Sequence, residues 1–249
     1  MNNSILENFG TGLNVAIIGA SGGLGKAFVE HLSVQPNVTK LHAFSRSSVK
    51  FNHKKVESHA IDIASEASVK EAVDCVEADQ LFDIVIVATG FLHDGNISPE
   101  KSMRALSMES FQDVFAVNSF GPALVAKHFL PRLQRDRKSV FACLSARVGS
   151  ISDNQLGGWH AYRASKAALN MILKNAAIET ARRYKEACVI GLHPGTVDTS
   201  LSQPFQGQVE DNKLFTPEYS SACLLKVIND VTPAQSGKVF AWDGKEMPA

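Results

Sequence analysis

The feature that most constrains the fold is a run of glycines placed directly after an apolar segment. Leu13–Ile18 is short and rich in aliphatic residues, as in a buried strand. Residues 19–25 then read GASGGLG, and the apolar spacing from about Leu24 to Val34 predicts a helix. Glycines at such a junction let the chain turn tightly and let another group approach the backbone closely. The order predicts a strand, a tight turn and a helix, which together open a β–α–β unit.

The rest of the chain repeats this alternation of short apolar runs with longer helical patterns. Further strands are predicted at residues 41–44, 56–61, 82–88, 140–144, 187–192 and 238–242. Helices are predicted at 65–77 with Ser65 as N-cap, at 107–134 with an interruption at Gly121-Pro122, at 161–184 and at 220–229. This alternation predicts an α/β fold with a single doubly wound parallel sheet of about seven strands and helices on both faces, a Rossmann-like arrangement.

Residues 199–217 stand apart from the alternation. The stretch is long, contains Pro, Gly and Gln, and carries the apolar side chains Leu201, Phe205, Leu214 and Phe215. An irregular loop of this length is more often a functional lid than a linker between domains. We therefore expect residues 1–249 to form a single domain in which 199–217 covers a substrate site.

Charge and composition exclude several classes of protein. Lys+Arg and Asp+Glu balance at 25 each without a long run of one sign, which argues against a nucleic-acid partner or an anionic membrane surface. The four cysteines are scattered without a C-x-x-C pair, so neither a disulfide framework nor a metal site is predicted. No apolar run approaches the ~18 residues of a membrane span. A cytoplasmic location is the default expectation, since residues 1–14 lack the pattern of a signal peptide.

The glycine turn also has the chemistry of an anion site. Its glycines bring backbone N–H groups close to a pyrophosphate at the N-terminus of the following helix, as in dinucleotide-binding folds. The spacing is G-x-x-x-G-x-G, and in isolation such a turn is a weak signal. Its place between the first strand and the first helix strengthens the prediction. The predicted cofactor residues of the turn are Gly19, Ser21, Gly23, Leu24 and Gly25.

The end of the second predicted strand indicates which dinucleotide is bound. An acidic residue there accepts the ribose 2′-hydroxyl of NAD, whereas an arginine accommodates the 2′-phosphate of NADP. Here the residues are Ser45, Arg46 and Ser47, with no Asp or Glu, about 20 residues beyond the glycines. Arg46 can form a charge-assisted, fork-like contact with phosphate, and the serines can add hydroxyl donors. NADP(H) is therefore favoured over NAD(H); the alternative is a solvated loop arginine.

Tyr162 and Lys166 are the strongest candidates for catalysis. Residues 159–166 read WHAYRASK, and in a helix a separation of four puts the phenol and the ammonium on one face. An ammonium near a phenol favours the phenolate and lowers the phenol pKa, which gives a proton donor and acceptor usable near neutral pH. The spacing alone is also that of an ordinary amphipathic surface pair. Of the three tyrosines, only Tyr162 has a lysine four residues on.

The chain resembles the short-chain dehydrogenase/reductase family in the order of its glycine turn, Asn118, Ser145, Tyr162 and Lys166. Within that family it looks most like the C-factor-like group. The resemblance extends from Leu13 to the last predicted strand. It implies an oxidoreductase that interconverts a carbonyl and an alcohol by hydride transfer with NADP(H).

The resemblance assigns further residues to the adenine side of the cofactor. Asp62 and Ile63 look like the pair that contacts the adenine, although Asp62 also suits a helix cap. Residues 87–90 read VATG where the family usually has Asn-Asn-Ala-Gly. Both asparagines are missing here, so Thr89 and the backbone have to make the hydrogen bonds that the asparagines would make. Ala88, Thr89 and Gly90 are the predicted cofactor residues of this segment.

On the other side of the cofactor, residues 193–199 follow the sixth predicted strand and resemble the loop that faces the nicotinamide. Pro194, Gly195, Val197 and Thr199 are the residues that the resemblance places there, with Thr199 at the carboxamide.

In the mechanism that the resemblance implies, Tyr162 exchanges a proton with the substrate oxygen and Ser145 hydrogen-bonds that same oxygen. Lys166 lowers the pKa of Tyr162 and holds the nicotinamide ribose, and Asn118 links Lys166 to solvent through a helix distortion and water. Ser150 competes for the serine role, because the 17 residues from Ser145 to Tyr162 are more than is usual in the family. Ser145 ends its strand, where open α/β sheets place ligands.

The expected partner is a small-molecule carbonyl or alcohol, with a homodimer or homotetramer formed through the two long helices, as in the family. An apolar substrate pocket is one interpretation of a set of side chains that also suit core packing: Phe91, Leu92, His93, Leu156, Trp159, Leu201 and Phe205.

Two other functions stay open. One is a signalling or regulatory protein that binds NAD(P) with little turnover, which the C-factor-like resemblance and the altered residues 87–90 favour. The intact set of Ser145, Tyr162 and Lys166 argues against it. The other is a nucleotide-sugar epimerase or dehydratase, for which the chain after the sixth strand is short.

Overall fold

The computed structural model describes residues 5–47, 49–208, 210 and 213–248, which are organised around a parallel β-sheet. The strands are β1 (Leu13–Ile18), β2 (Val38–Ser45), β3 (Val56–Ala60), β4 (Ile84–Val87), β5 (Ser139–Leu144), β6 (Ala187–His193), β7 (Thr196–Val197), β8 (Leu214–Phe215) and β9 (Val239–Ala241). Seven of them form one sheet in the order β3-β2-β1-β4-β5-β6-β9, and β7 pairs with β8. Every pairing in the large sheet is parallel, so the carboxyl ends of its strands lie at one edge.

The helices occupy both faces of this sheet. They are α1 (Gly23–Ser33), α2 (Glu66–Asp74), α3 (Met108–Phe115), α4 (Gly121–Phe129), α5 (His160–Thr180) and α6 (Pro217–Asp230). None of these helices has an apolar stretch long enough to cross a bilayer.

Two apolar cores result from this arrangement. On one face α1 and α6 pack against Val15 and Ile17 of β1, and on the other α2, α4 and α5 pack against Ala16 and Ile18. Because successive residues of a strand point to opposite faces, a continuous apolar run supplies both cores. The predicted fold, a doubly wound parallel sheet of seven strands with helices on both faces, is confirmed.

The long helix predicted at 107–134 differs in where it is interrupted. The chain passes from α3 into a π-helical turn, Ala116–Phe120, and then directly into α4. Gly121 and Pro122 form the first turn of α4 instead of breaking it, because a proline at the start of a helix needs no backbone N–H. The interruption lies just before this pair and contains Asn118.

The segment 199–217 is more regular than its sequence predicts. Residues Gln203–Gln208 form a 3₁₀-helix, and β8 pairs in parallel with β7, with Thr196 opposite Leu214. The pairing was not foreseen, because two-residue strands carry no alternating pattern. It ties the end of the segment to the residues that follow β6.

Candidate active site

Four loops meet at the carboxyl edge of the sheet, because the strands that precede them are parallel. Gly19 follows β1, Ala88 follows β4, Ser145 follows β5 and Pro194 follows β6. In an open α/β sheet this edge is where ligands bind. The structure therefore brings together the segments that the sequence assigns to cofactor and substrate.

The glycine turn is as tight as the sequence predicts. Gly19 has a φ of +89°, and a Cβ there would lie 2.9 Å from Cγ2 of Thr89. A Cβ on Gly25 would clash with the carbonyl oxygen of Gly19. Gly22 is the N-cap of α1, and no side chain caps the helix. The backbone N–H groups of the first turn of α1 therefore remain available to an anion.

A cleft of about 260 Å³ opens over this turn. It is lined by nine of the predicted cofactor residues, namely Gly19, Ser21, Ser45, Arg46, Asp62, Ile63, Ala88, Thr89 and Gly90. Gly22 and Val117 also line it and were not predicted. The Thr89 hydroxyl is buried and has no hydrogen-bond partner among the residues that the structure describes. An orphaned hydroxyl beside uncapped N–H groups fits a polar, anionic ligand such as a pyrophosphate.

At the far end of the cleft, Arg46 is exposed and forms no ion pair with any carboxylate in the described part of the chain. The Ser45 hydroxyl donates to the backbone carbonyl of Ser47 at 2.6 Å, and this hydrogen bond stabilises the turn that contains Arg46. Asp62 does not cap α2: Ser65 is the N-cap, as predicted, and Asp62 Oδ1 accepts from the Ala64 N–H at 3.0 Å.

The π-helical turn sits behind this cleft and buries Asn118 completely. The Asn118 side chain clamps the backbone of Phe91, accepting from its N–H at 2.8 Å and donating to its carbonyl at 2.7 Å. It also donates to Ser165 Oγ of α5 at 3.2 Å. Asn118 therefore joins the loop after β4 to the helix of Tyr162, and it lines neither the cleft nor the adjoining cavity.

A second cavity, of about 340 Å³, lies beside the cleft. Gly90 lines the cleft, and a Cβ on it would lie 3.4 Å from Cδ1 of Leu201, which lines the cavity. The cavity holds predicted residues from the serine–tyrosine pair, the glycine turn and the loop after β6, namely Leu24, Ser145, Tyr162, Pro194, Gly195, Val197 and Thr199. Thr199 closes against the glycine turn: a Cβ on Gly23 would lie 2.6 Å from its Cγ2. Ser145 and Tyr162 thus share one cavity.

Asn170 is a neighbour of Ser145 that sequence reasoning missed. The Ser145 hydroxyl donates to Asn170 Oδ1 at 2.6 Å. Asn170 follows Lys166 by four residues and Tyr162 by eight on α5, and this helical spacing is the signal that predicts all three on one face. The competing serine, Ser150, accepts from the Asp153 N–H at 3.1 Å within a turn and does not line the cavity.

Lys166 and Tyr162 are both buried, at 2% and 8% exposure. The ammonium lies 5.8 Å from the centre of the phenol ring and donates to the Leu144 carbonyl at 2.8 Å. Burial lowers the pKa of Lys166 to about 8 and raises the pKa of Tyr162 to about 12. The predicted lowering of the phenol pKa is therefore wrong for the protein alone, because loss of water around the phenol outweighs the nearby lysine.

Apolar and aromatic side chains that cluster with Tyr162 form part of the cavity lining. Trp159 packs against Phe205 and Tyr162, with ring centroids 4.9 and 6.2 Å away. Trp159 is the N-cap of α5 and has a left-handed conformation, with φ of +50°. The full lining includes Leu92, Trp159, Leu201 and Phe205 from the predicted apolar set, whereas Leu156 is 90% exposed and lies outside it.

A buried carboxylate holds Trp159 and the start of α5 in place. Glu100 accepts from the Trp159 N–H through its backbone carbonyl at 2.6 Å. Its side chain accepts from the Ala161 N–H at 3.2 Å and from the Ser110 hydroxyl at 2.9 Å. Sequence reasoning missed Glu100, since 61 residues separate it from Ala161.

Comparison with known proteins shows which family this chain belongs to. The sequence profile of the short chain dehydrogenases matches residues 13–210, from β1 into the segment after β7. The chain belongs to the short-chain dehydrogenase/reductase family. It is accordingly related to oxidoreductases, as its order of motifs predicts.

Individual proteins similar to this chain support the same family. C-signal of Myxococcus xanthus is 36% identical over 134 residues, which cover 54% of this chain and 75% of C-signal. The 1-hydroxy-2-glutathionyl-2-methyl-3-butene dehydrogenase of Rhodococcus sp. (strain AD45) is 30% identical over 184 residues, covering 74% of this chain and 76% of that enzyme. The NADPH-bound carbonyl reductase from chicken fatty liver has a TM-score of 0.84 and 25% identity, covering 96% of this chain and 100% of that one.

We predict that Lys166→Met stabilises the fold near neutral pH. The folded pKa of about 8 lies below the ordinary lysine value, so the folded protein disfavours the charged form that the unfolded chain keeps. The variant is expected to raise the free energy of unfolding by up to about 3 kcal/mol at pH 7, and this gain should fade as the pH rises from about 8 towards 10.4.

Urea denaturation at several pH values measures this difference. Lys174→Met, at an exposed position of the same helix, is the control and should show little change. A gain for Lys166→Met that does not vary with pH would contradict the assignment of the effect to a buried charge.

Proposed function

We propose that the chain is an NADP(H)-dependent oxidoreductase that interconverts a carbonyl and an alcohol, with Tyr162 as proton donor or acceptor. The observation that carries the proposal is the cavity shared by Ser145 and Tyr162, which adjoins the cleft over the glycine turn. A ligand held in the cleft thus lies next to a space bordered by a phenol and a hydroxyl. The similarity to a carbonyl reductase that carries NADPH supports both the cofactor and the reaction class.

The residues of the cleft and of the cavity beside it suit this cofactor at three points. The uncapped start of α1 and the orphaned hydroxyl of Thr89 suit the pyrophosphate. Arg46, exposed and without an ion pair among the described residues, suits the 2′-phosphate, and Thr199 suits the nicotinamide carboxamide. When bound, the cofactor supplies or accepts the hydride, and the protein supplies position and proton.

Tyr162 is the group that we propose to move the proton. In reduction its hydroxyl donates to the carbonyl oxygen, and in oxidation its phenolate accepts the alcohol proton. Since burial raises the pKa of Tyr162 to about 12, the phenol is protonated at neutral pH, which favours reduction. The Lys166 ammonium beside the ring stabilises the phenolate that is left after transfer.

Asn170 is proposed as a positioning residue that decides how Ser145 acts. Because the Ser145 hydroxyl donates its hydrogen bond to Asn170 Oδ1, it offers only lone pairs to the cavity. In this orientation it can accept a hydrogen bond from a substrate hydroxyl. To donate to a carbonyl oxygen, the Ser145 hydroxyl has to turn away from Asn170 Oδ1. Turning the Asn170 amide over favours that orientation, because its NH₂ group then donates to Ser145. The orientation of one amide therefore biases Ser145 towards binding a carbonyl or an alcohol.

The cavity also limits the substrate. Leu92, Trp159, Leu201 and Phe205 give its lining an apolar part, so we propose a small carbonyl compound with an apolar or aromatic substituent. We further propose that the chain is one catalytic domain and that 199–217 is its lid, since Leu201 and Phe205 come from that segment.

A homodimer or homotetramer is proposed as the assembly. Large apolar side chains lie exposed along the π-helical turn and α5, with Phe120, Met171 and Ile178 each at least half exposed. Such a patch on two neighbouring helices suits burial against a second subunit.

Replacing Tyr162 by Phe is expected to lower kcat for NADPH-dependent carbonyl reduction by about 10²-fold or more, since general acid catalysis is lost. NADPH affinity should be nearly unchanged, because the ring is kept. Steady-state kinetics and NADPH fluorescence titration measure the two quantities, with Tyr184→Phe as the control. Unchanged turnover would contradict the role of Tyr162.

A panel of substrates tests the regulatory alternative. If the wild-type protein binds NADPH but oxidises it with none of a broad set of aldehydes, ketones and quinones, a regulatory function is favoured instead.

Reversing the charge of Arg46 tests the choice of cofactor. Arg46→Asp is expected to weaken NADPH binding tenfold or more, about 1.4 kcal/mol, through loss of the phosphate contact. NADH binding should change little, because NADH lacks the 2′-phosphate. Titration of both cofactors gives the ratio, and equal losses for the two would rule out Arg46 as the residue that selects NADPH.

A double-mutant cycle tests Asn170. Asn170→Ala alone is expected to lower kcat for carbonyl reduction about tenfold, the value of one well-placed hydrogen bond. In a Ser145→Ala background the same change should have almost no effect, because Asn170 acts through the serine. Additive losses in the double variant would show that Asn170 acts elsewhere. NADPH binding should be unchanged in all three variants.

A further inference from the structure

A group of metal-ligating side chains lies away from the active site, at the edge of the sheet where β2 pairs with β3. The parallel register places His42 opposite Glu57 and Phe44 opposite His59. Residues two apart on a strand share a face, so His42 and Phe44 of β2 project on the same side as Glu57 and His59 of β3. Two imidazoles and one carboxylate thereby meet outside any site described above.

The three ligand atoms lie close enough together for one metal ion to contact all of them. His42 Nδ1 lies 3.0 Å from His59 Nε2 and 3.7 Å from Glu57 Oε2. His59 Nε2 lies 4.0 Å from the same Glu57 oxygen. The circle through three atoms at these separations has a radius of about 2.1 Å, which matches the ~2.0–2.2 Å bonds of zinc to imidazole nitrogen and carboxylate oxygen.

The two ligand nitrogens are hydrogen-bonded to each other when no metal is bound, at 3.0 Å between His42 Nδ1 and His59 Nε2. One of the two carries the proton of that bond, because a neutral imidazole has one N–H and one free nitrogen. The proton moves to the other nitrogen of the same ring when both imidazoles coordinate a metal.

The rings are held before any metal arrives. His59 stacks on Phe44 with centroids 4.8 Å apart, and His42 meets the edge of Phe82 at 5.7 Å. Lys40 binds the other oxygen of Glu57 at 3.0 Å, which leaves Oε2 facing the imidazoles and offsets part of the carboxylate charge. Fixed ligands lower the entropic cost of coordination.

The outer side of the group is open to solvent. The Glu57 side chain is 49% exposed and His59 is 15% exposed, whereas His42 is 1% exposed. Water can therefore take the fourth position of a tetrahedral zinc ion. Tetrahedral coordination requires a small inward movement of the exposed Glu57 side chain, because the present spacing of the three atoms places the metal in their plane.

We propose that His42, Glu57 and His59 bind a zinc ion that joins β2 to β3. Bound there, the ion links an edge strand to the sheet and stabilises the folded chain by its binding free energy. It lies on the strand that ends at Ser45, so it also fixes the strand that carries the loop of Arg46.

Cobalt(II) and zinc ions alone are the probes for this site. The full chain, without a histidine tag and after treatment with chelator, should bind one equivalent of cobalt and show the intense visible absorption of four-coordinate Co(II). Zinc should displace the cobalt and raise the Tm. Glu57→Gln, at an exposed position, and His59→Ala should each abolish the absorption.

His128→Ala is the matched control. His128 lies 3.4 Å from Glu66, so it is also a histidine beside a carboxylate, but without a second imidazole. This variant should bind cobalt as the wild type does. The proposal is overturned if the wild type gives no four-coordinate spectrum, if Glu57→Gln binds cobalt normally, or if His128→Ala loses binding to the same extent. Because Glu57→Gln changes an exposed side chain, it remains informative even where His59→Ala does not fold.

Discussion

Parallel pairing of the strands is the constraint on which the rest of the structure depends. A chain that leaves one strand must cross over and return before it can enter the next in the same direction. The loops after β1, β4, β5 and β6 therefore leave the sheet at one edge. This places Gly19, Ala88, Ser145 and Pro194 around one space, although most of the chain separates the first from the last. Neither the cleft nor the cavity requires any of these residues to be close in sequence.

The same edge keeps polar groups in surroundings that disfavour charge. Lys166 is almost fully buried and its pKa falls to about 8, while the pKa of Tyr162 rises to about 12. Stability alone would favour apolar residues at both positions. Perturbed pKa values of this kind, in a cavity and next to a hydroxyl such as that of Ser145, are typical of functional sites. The helix α5 is thus less stable than its packing allows.

The sequence was sufficient for the parallel arrangement of the strands in the large sheet and for several local features. β1 begins and ends as predicted, Ser65 caps α2, and the segments that line the cleft follow from their places after strands. What could not be predicted depends on tertiary contact. Glu100 reaches the start of α5 across 61 residues, and the histidines of β2 and β3 meet only through strand register. The raised pKa of Tyr162 was missed because reasoning from a four-residue spacing includes the lysine and omits burial.

The conformation of Trp159 limits how this cavity can change over evolution. Gly157, Gly158 and Trp159 all have positive φ, and the backbone N–H of Trp159 donates to the backbone carbonyl of Glu100. A β-branched side chain at 159 would be strained in that conformation, whatever room the cavity offers. Phe205, on the other side of the same contact, belongs to a surface segment and carries no such restriction. The shape of the cavity is therefore more readily changed by mutation at 205 than at 159, because the backbone at 159 restricts which side chains fit there.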